Sequence, residues 1–133
     1  MWRDCLTKET ALFAQGNNAY WWKSPSGKDG MMIWTCGRGY SSWHGFAPGA
    51  VHERGAEKIA DYMNELDSLK YPYDIVHWRY NIVADNGPTD STIADFVKEW
   101  NEKYVSPQLV LANVNDMFQR FEKKYGKKIP ELS

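Results

Sequence analysis

Cysteine is scarce in this chain. Its 133 residues include two, Cys5 and Cys36, too few for the disulfide framework on which small secreted folds depend. The two could bridge, but the pattern favours a pair of small buried thiols. A metal centre drawn from Cys36, His44 and His52 lacks the closely spaced ligand pairs of zinc sites. Long apolar runs are missing as well. No stretch approaches the roughly 18 residues of a membrane-spanning helix. Met1-Trp2-Arg3-Asp4-Cys5 has no basic region leading into an apolar one, so no secretory signal is read, and the default compartment is cytoplasmic. Charge of one sign is also absent: 16 Lys and Arg against 17 Asp and Glu leave a net −1. That balance argues against nucleic acid or an anionic membrane as the main partner. There is no repeat, low-complexity tract or obvious linker.

Aromatic mass is abundant, with 7 Trp, 8 Tyr and 5 Phe in a chain that is 43% hydrophobic. So much apolar surface is incompatible with global disorder. The length suits one domain over 1–133.

Residues 19–24 and 31–36 are two short β-prone runs. Between them lies the turn cluster Pro25-Ser26-Gly27-Lys28-Asp29-Gly30, so together they predict a hairpin. Residues 37–50 read as irregular, with four glycines interleaved among Tyr40, Trp43, His44 and Phe46. A loop of this kind on a rigid scaffold is a common place for binding residues. It could equally cover the core with its own aromatics. From Gly55 to Leu69 the spacing of Ile59, Tyr62, Met63, Leu66 and Leu69 predicts a helix, which ends before Pro72.

Asp74 to Val83 reads as the clearest strand, with Val76, Trp78, Tyr80 and Ile82 on one face and His77, Arg79 and Asn81 on the other. The same parity extends to Asp85, just past the carboxyl end. A helix over about 91–104 follows, with Thr89-Asp90-Ser91 available to cap it. Gln108–Ala112 reads as a short buried strand. A last helix begins at Asn113 or Asn115, runs through Tyr125, and has Gly126 as its expected C′ residue. Helices alternating with strands imply parallel pairing, hence an α/β domain with a small, mostly parallel sheet, flanking helices and an N-terminal hairpin.

Ligands of α/β sheets bind at the carboxyl ends of the strands. Asp85 is therefore the candidate acid or base, with His77 and Arg79 as candidate ligand contacts. The bland alternative is an edge strand with one wet face and Asp85 as a turn former. No nucleophile elbow, phosphate loop or zinc motif is present. Sugar rings stack on flat aromatic faces. Trp21, Trp22, Trp34 and Trp43 are open to that role, whereas Trp78 and Trp100 read as core.

The stretch from Tyr80 through Asp85-Asn86-Gly87-Pro88, on through Trp100-Asn101 and Tyr104 to Asp116-Met117-Phe118, resembles the catalytic domain of family 38 glycoside hydrolases, the α-mannosidases. Tyr20-Trp21-Trp22-Lys23-Ser24-Pro25-Ser26-Gly27 with Met31-Met32-Ile33-Trp34, and Tyr71-Pro72-Tyr73-Asp74, are similar to its bacterial group. The resemblance covers most of 18–130. It implies the C-terminal part of a β/α barrel and a retaining α-mannosidase. It also implies a zinc ion held by a His-x-Asp pair, a further Asp that is the nucleophile, and a distant His. This sequence has no His-x-Asp, so zinc is expected only in a full-length parent domain. Where the family's acid turn carries Asp-Asp, this chain has Asp85-Asn86, and an amide cannot serve as the acid. The expectation is therefore a glycosidase-related domain that acts on or binds carbohydrate and is not competent alone. Asp85 would be its acid/base, and Asn86, His77, Arg79, Trp43 and His44 would contact substrate. The rival reading is a non-catalytic carbohydrate-binding or self-associating domain. An uncovered barrel edge predicts homo-oligomers with Trp21, Trp22, Trp34 or Trp43 at the contact.

Overall fold

Pro25 and Gly27 turn the chain between two β-prone runs. Gly27 adopts φ +70°, a left-handed conformation that glycine takes without penalty. The computed structural model describes residues 18–35, 43–82 and 87–132, of which 43–46 are described by their backbone. In it, β1 (Ala19–Lys23) and β2 (Gly30–Trp34) pair antiparallel, with Trp21 opposite Met32 and Trp22 opposite Met31. The hairpin forms where the sequence predicts it. A two-residue strand, β5 (Glu131–Leu132), joins the other edge of β1 in parallel, setting Trp22 beside Leu132. The sheet order is β2-β1-β5.

Within the segment expected to be irregular, Trp43–Phe46 forms a strand, β3, paired in parallel with β4 (Tyr80–Ile82) across a register shift. Local glycine content hid this strand, because a parallel partner some 35 residues on cannot be read from local pattern. The helices are α1 (Val51–Ser68), α2 (Ile93–Lys103) and α3 (Val114–Tyr125). Their buried residues include the expected Ile59, Tyr62, Leu66, Phe96, Trp100, Met117 and Phe121. The protein is thus a small α/β domain in which a three-stranded mixed sheet, a parallel strand pair and three helices are described.

Two expected strands are corrected. Of the expected strand 74–83, residues 74–79 belong to no ladder. Tyrosine hydroxyls bond their backbone instead: Tyr71 donates to Ile75 O (2.7 Å), Tyr62 to His77 O (3.4 Å), and the Asp74 N–H donates to the Tyr125 hydroxyl (3.2 Å). Backbone groups need partners, and side chains can supply them. The 108–112 segment is likewise outside any ladder. The Asn101 amide grips Leu109 at both its N–H (2.9 Å) and its C=O (2.8 Å), standing in for a neighbouring strand. Nor is that segment buried, since Val110 and Leu111 are exposed.

Asn113 caps α3 as expected, its side-chain oxygen accepting the Asp116 N–H at 2.9 Å. Gly126 departs from expectation, with φ −52° rather than a left-handed value. A Cβ there would lie 2.6 Å from Glu122 O, so close approach is what requires the glycine.

The core has two parts. Val51, Ile59, Ile82, Phe96 and Trp100 form one, with Trp78, Tyr80 and Leu109 against it. Ala19, Phe121, Tyr125 and Ile129 form the other, with Trp21, Met32, Trp34 and Tyr73 against it. Trp100 is core as predicted and Trp78 packs beside it. Among the described residues no helix is long and apolar enough to cross a membrane.

Candidate functional site

β4 pairs with β3, and a cleft borders the start of β4. The cleft has a volume of about 510 Å³ and is bounded by the strand, the 87–90 turn, Ile93 and Leu111-Ala112. His77, Trp78, Arg79, Tyr80 and Asn81 all line it, so the cleft does not separate the two faces expected of an alternating strand. Its strand-side lining is the 77–79 segment that leads into β4 and the first two residues of the strand, Tyr80 and Asn81.

Asp90 is the best-anchored group of the cleft, with only 5% of its surface exposed. Its Oδ1 accepts the Thr92 N–H (2.9 Å) and hydroxyl (2.8 Å), and its Oδ2 accepts the Tyr80 hydroxyl (2.6 Å) and the Gly49 N–H (3.2 Å). Burial pushes its pKa up, but these donors outweigh burial, the Tyr80 hydroxyl most, and hold it down at about 2. A carboxylate offers about four acceptor positions, and here four donors fill them. Asp90 therefore ties the start of α2 to β4 and to the turn before α1, and has no lone pair left for a substrate. The same contacts and burial raise the Tyr80 hydroxyl above its ordinary range.

Burial, and then the Arg79 charge, lower the pKa of His77. Its ring stands edge-on to Trp34 at 6.4 Å. A neutral imidazole, a guanidinium and the Asn81 amide thus share one wall. Together they can donate to and accept from a ligand rich in hydroxyl groups.

Asp85 and Asn86 lie outside the described residues, as do Cys5 and Cys36 and the side chains of Trp43 and His44. The backbone of Trp43 pairs with Tyr80, so its chain position is beside the strand that carries the cleft. His52, drawn into the hypothetical metal centre, pairs instead with Glu99 at 3.2 Å. Among the described residues no three His, Cys, Asp or Glu side chains gather in a way that could hold a metal ion. The zinc that the mannosidase resemblance implies has no ligand set in them.

Sequence reasoning missed Asp90 and Tyr80 as parts of this wall. Asp90 reads as one of three residues that could cap the helix, whereas the N-cap is Thr92 without a side-chain cap bond and Asp90 closes a turn onto the Thr92 N–H ahead of it; Tyr80 reads as core. The signal that could have found them is the ten-residue separation that brings a strand-start tyrosine back against the turn before the next helix. No protein family, curated protein or solved structure matches the chain.

Proposed function

We propose that this chain is the carbohydrate-binding part of an α-mannosidase-like glycoside hydrolase domain, with the β4 cleft as its sugar site and no hydrolytic competence of its own. The observation that carries the reading is the convergence of His77, Arg79 and Asn81 with Trp78 and Tyr80 on one cleft that borders a strand paired in parallel. Hydroxyls of a sugar suit the mixed donors and acceptors of this wall, and its ring suits the aromatic surface. In this reading the strands belong to a β/α barrel, Asp85 is the acid/base residue, and Asn86, Trp43 and His44 add substrate contacts.

Retaining hydrolysis needs two carboxyl groups about 5–5.5 Å apart, one of them holding a proton to give. The cleft's described carboxylate, Asp90, is ionised down to about pH 2 and has its acceptor positions filled. It can be neither proton donor nor nucleophile. Titration with an α-linked mannobiose, followed by amide NMR shifts, tests the reading. Shifts should cluster at 77–81 and 87–90 and vanish in Asn81→Ala, while a chromogenic α-mannoside stays intact. A folded protein without such shifts, or with shifts that survive Asn81→Ala, would refute it.

A second reading, self-association, is favoured by one row of side chains. Met31, Trp22 and Leu132 stand side by side across β2-β1-β5 and are 59%, 57% and 40% exposed. Such a strip on the outer face of a sheet suits contact with another copy. Trp21 and Trp34 are turned to the inner side, against the Phe121 cluster. Trp22→Lys should therefore convert any dimer seen by sedimentation into monomer, and a wild-type chain that stays monomeric at high concentration would remove this reading.

A further inference from the structure

Beside the middle of β1 and the end of α3, a second cleft of about 580 Å³ is lined by Trp21, Glu122, Lys123, Lys124, Gly126, Lys127 and Lys128. Its charge is unlike that of the whole chain. Residues 120–128 carry five cations and one anion, against a net −1 overall. Lys124 is paired with Asp74. Lys23, which stands 5.9 Å from the Trp21 ring centroid, is paired with Glu131 at 3.1 Å. Lys123, Lys127 and Lys128 are exposed and have no carboxylate partner among the described residues. Glu122 and the carbonyl end of α3, worth about half a negative charge, oppose them only in part.

The aromatic wall is held in place. Trp21 Nε1–H donates to Gly126 O at 2.8 Å, and the ring packs against the buried Phe121 cluster. A fixed indole face ringed by unpaired ammonium groups matches a ligand that has both a flat, C–H-bearing ring and an anionic substituent. A bare polyanion would use only the lysines.

We propose that this cleft binds an acidic sugar residue, carboxylated or sulfated, with its ring against Trp21 and its anionic group among Lys123, Lys127 and Lys128. The choice of a sugar rests on the carbohydrate reading above; the charge and the site do not. On this view the protein holds two sugar contacts of different character, a neutral one at β4 and an acidic one at the end of α3.

The test measures binding of the full chain to four polymers at low and at physiological salt: polymannuronate, sulfated mannan, neutral mannan and polyglutamate. Polymannuronate or sulfated mannan should bind, and which of them binds tighter identifies the anionic group. Salt should weaken the binding, because exposed charges are screened over about 8–10 Å. The double variant Lys127→Glu/Lys128→Glu, at exposed positions and checked for folding by circular dichroism, should weaken it by about tenfold or more, as expected for electrostatic capture. Trp21→Phe, checked for folding by circular dichroism, should weaken the acidic sugars and leave polyglutamate unchanged. Equal binding of polyglutamate, no binding of either acidic polymer, or indifference to the charge reversal would each overturn the proposal. Failure of the β4 reading looks different: mannobiose shifts at 77–81 are absent while Trp21-dependent binding of an acidic glycan persists.

Discussion

The two halves of this domain satisfy their backbone in different ways. Around Phe121, the central strand β1 is paired on both edges, by β2 and by β5, and α3 closes over the sheet. Around Phe96 and Trp100, the three-residue strand β4 is paired along one side, and side chains bond much of the neighbouring extended chain. Where ladders do the pairing, the hairpin and α3 pack face to face. Where tyrosine hydroxyls and an asparagine amide do it, extended segments stand apart from their neighbours. Cavities of about 200 and 510 Å³ then flank the 108–112 segment. The β4 cleft lies in the half whose strands are incompletely laddered, whereas the lysine-lined cleft lies at the edge of the laddered half.

The largest effect should come from breaking the laddered half. Phe121 is 0% exposed, and its ring meets Trp34 edge-on at 4.8 Å and Tyr73 at 5.0 Å. Phe121→Ala should lower the unfolding free energy by about 3–5 kcal/mol, as read from urea melts. Hydrogen exchange sharpens the comparison. If the halves are separate cooperative units, amides of β1, β2 and α3 lose protection first while α1 and α2 keep theirs; equal loss everywhere means a single unit.

Asp90 is the corresponding anchor of the other half. Asp90→Asn keeps the shape but removes the charge that four donors address, and should cost roughly 2–3 kcal/mol, in line with hydrogen bonds to a charged group. The pH dependence has a definite sign. The folded pKa, about 2, is below the ordinary 3.8, so the folded state binds fewer protons across that interval. The stability Asp90 contributes is complete above pH 4 or so and is lost as pH falls through about 2. Acid titration of wild type and Asp90→Asn should therefore converge at low pH; a constant gap between them would show that the carboxylate is not the stabilising group.

Much of this was legible locally. The hairpin follows from two β-prone runs around Pro25 and Gly27, and each helix from its apolar stripe, because these are short-range patterns. Period-two alternation sets His77, Arg79 and Asn81 apart from Trp78 and Tyr80, but 74–79 forms no ladder and all five line one cleft. What could not be read depends on distant partners. β3 needed β4, β5 needed β1, and the unladdered state of 74–79 and 108–112 depends on Tyr62, Tyr71, Tyr125 and Asn101 reaching their backbones. Gln108–Ala112 has a strand's composition, and nothing in it reveals that the Asn101 amide takes a strand's place. Asp90 shows the same limit, since its bonds to Thr92 are local and its bond to Tyr80 is not.

The contact between α1 and α2 supplies a smaller test of the second half. Gly55 is buried, and a Cβ there would lie 2.5 Å from Phe96 Cζ and 2.7 Å from Cε2. Alanine favours a helix over glycine by about 1 kcal/mol, whereas forcing atoms into a packed contact costs about 1–3 kcal/mol. Gly55→Ala should therefore be net destabilising, by about 1 kcal/mol on those figures. A thermal melt at or above the wild-type midpoint would mean that the Phe96 ring can move aside, and that this half is as loosely packed as its cavities suggest.

The smallest effect, and the most direct probe of side chains standing in for strands, is at Asn101. It is exposed, so its removal uncovers no apolar surface, yet it holds both backbone groups of Leu109. Asn101→Ala should cost about 1 kcal/mol, the usual net worth of such bonds, but should speed exchange of the Leu109 amide markedly. Asn101→Asp separates the two bonds. A carboxylate still accepts the Leu109 N–H but cannot donate to its carbonyl and is repelled by it. The Leu109 amide should stay protected in the Asp variant and lose protection in the Ala variant, although both lose stability. If the amide exchanges equally fast in both, the segment is held by the packing of Leu109 against the Trp100 cluster instead, and the Asn101 amide is not a surrogate for the missing strand.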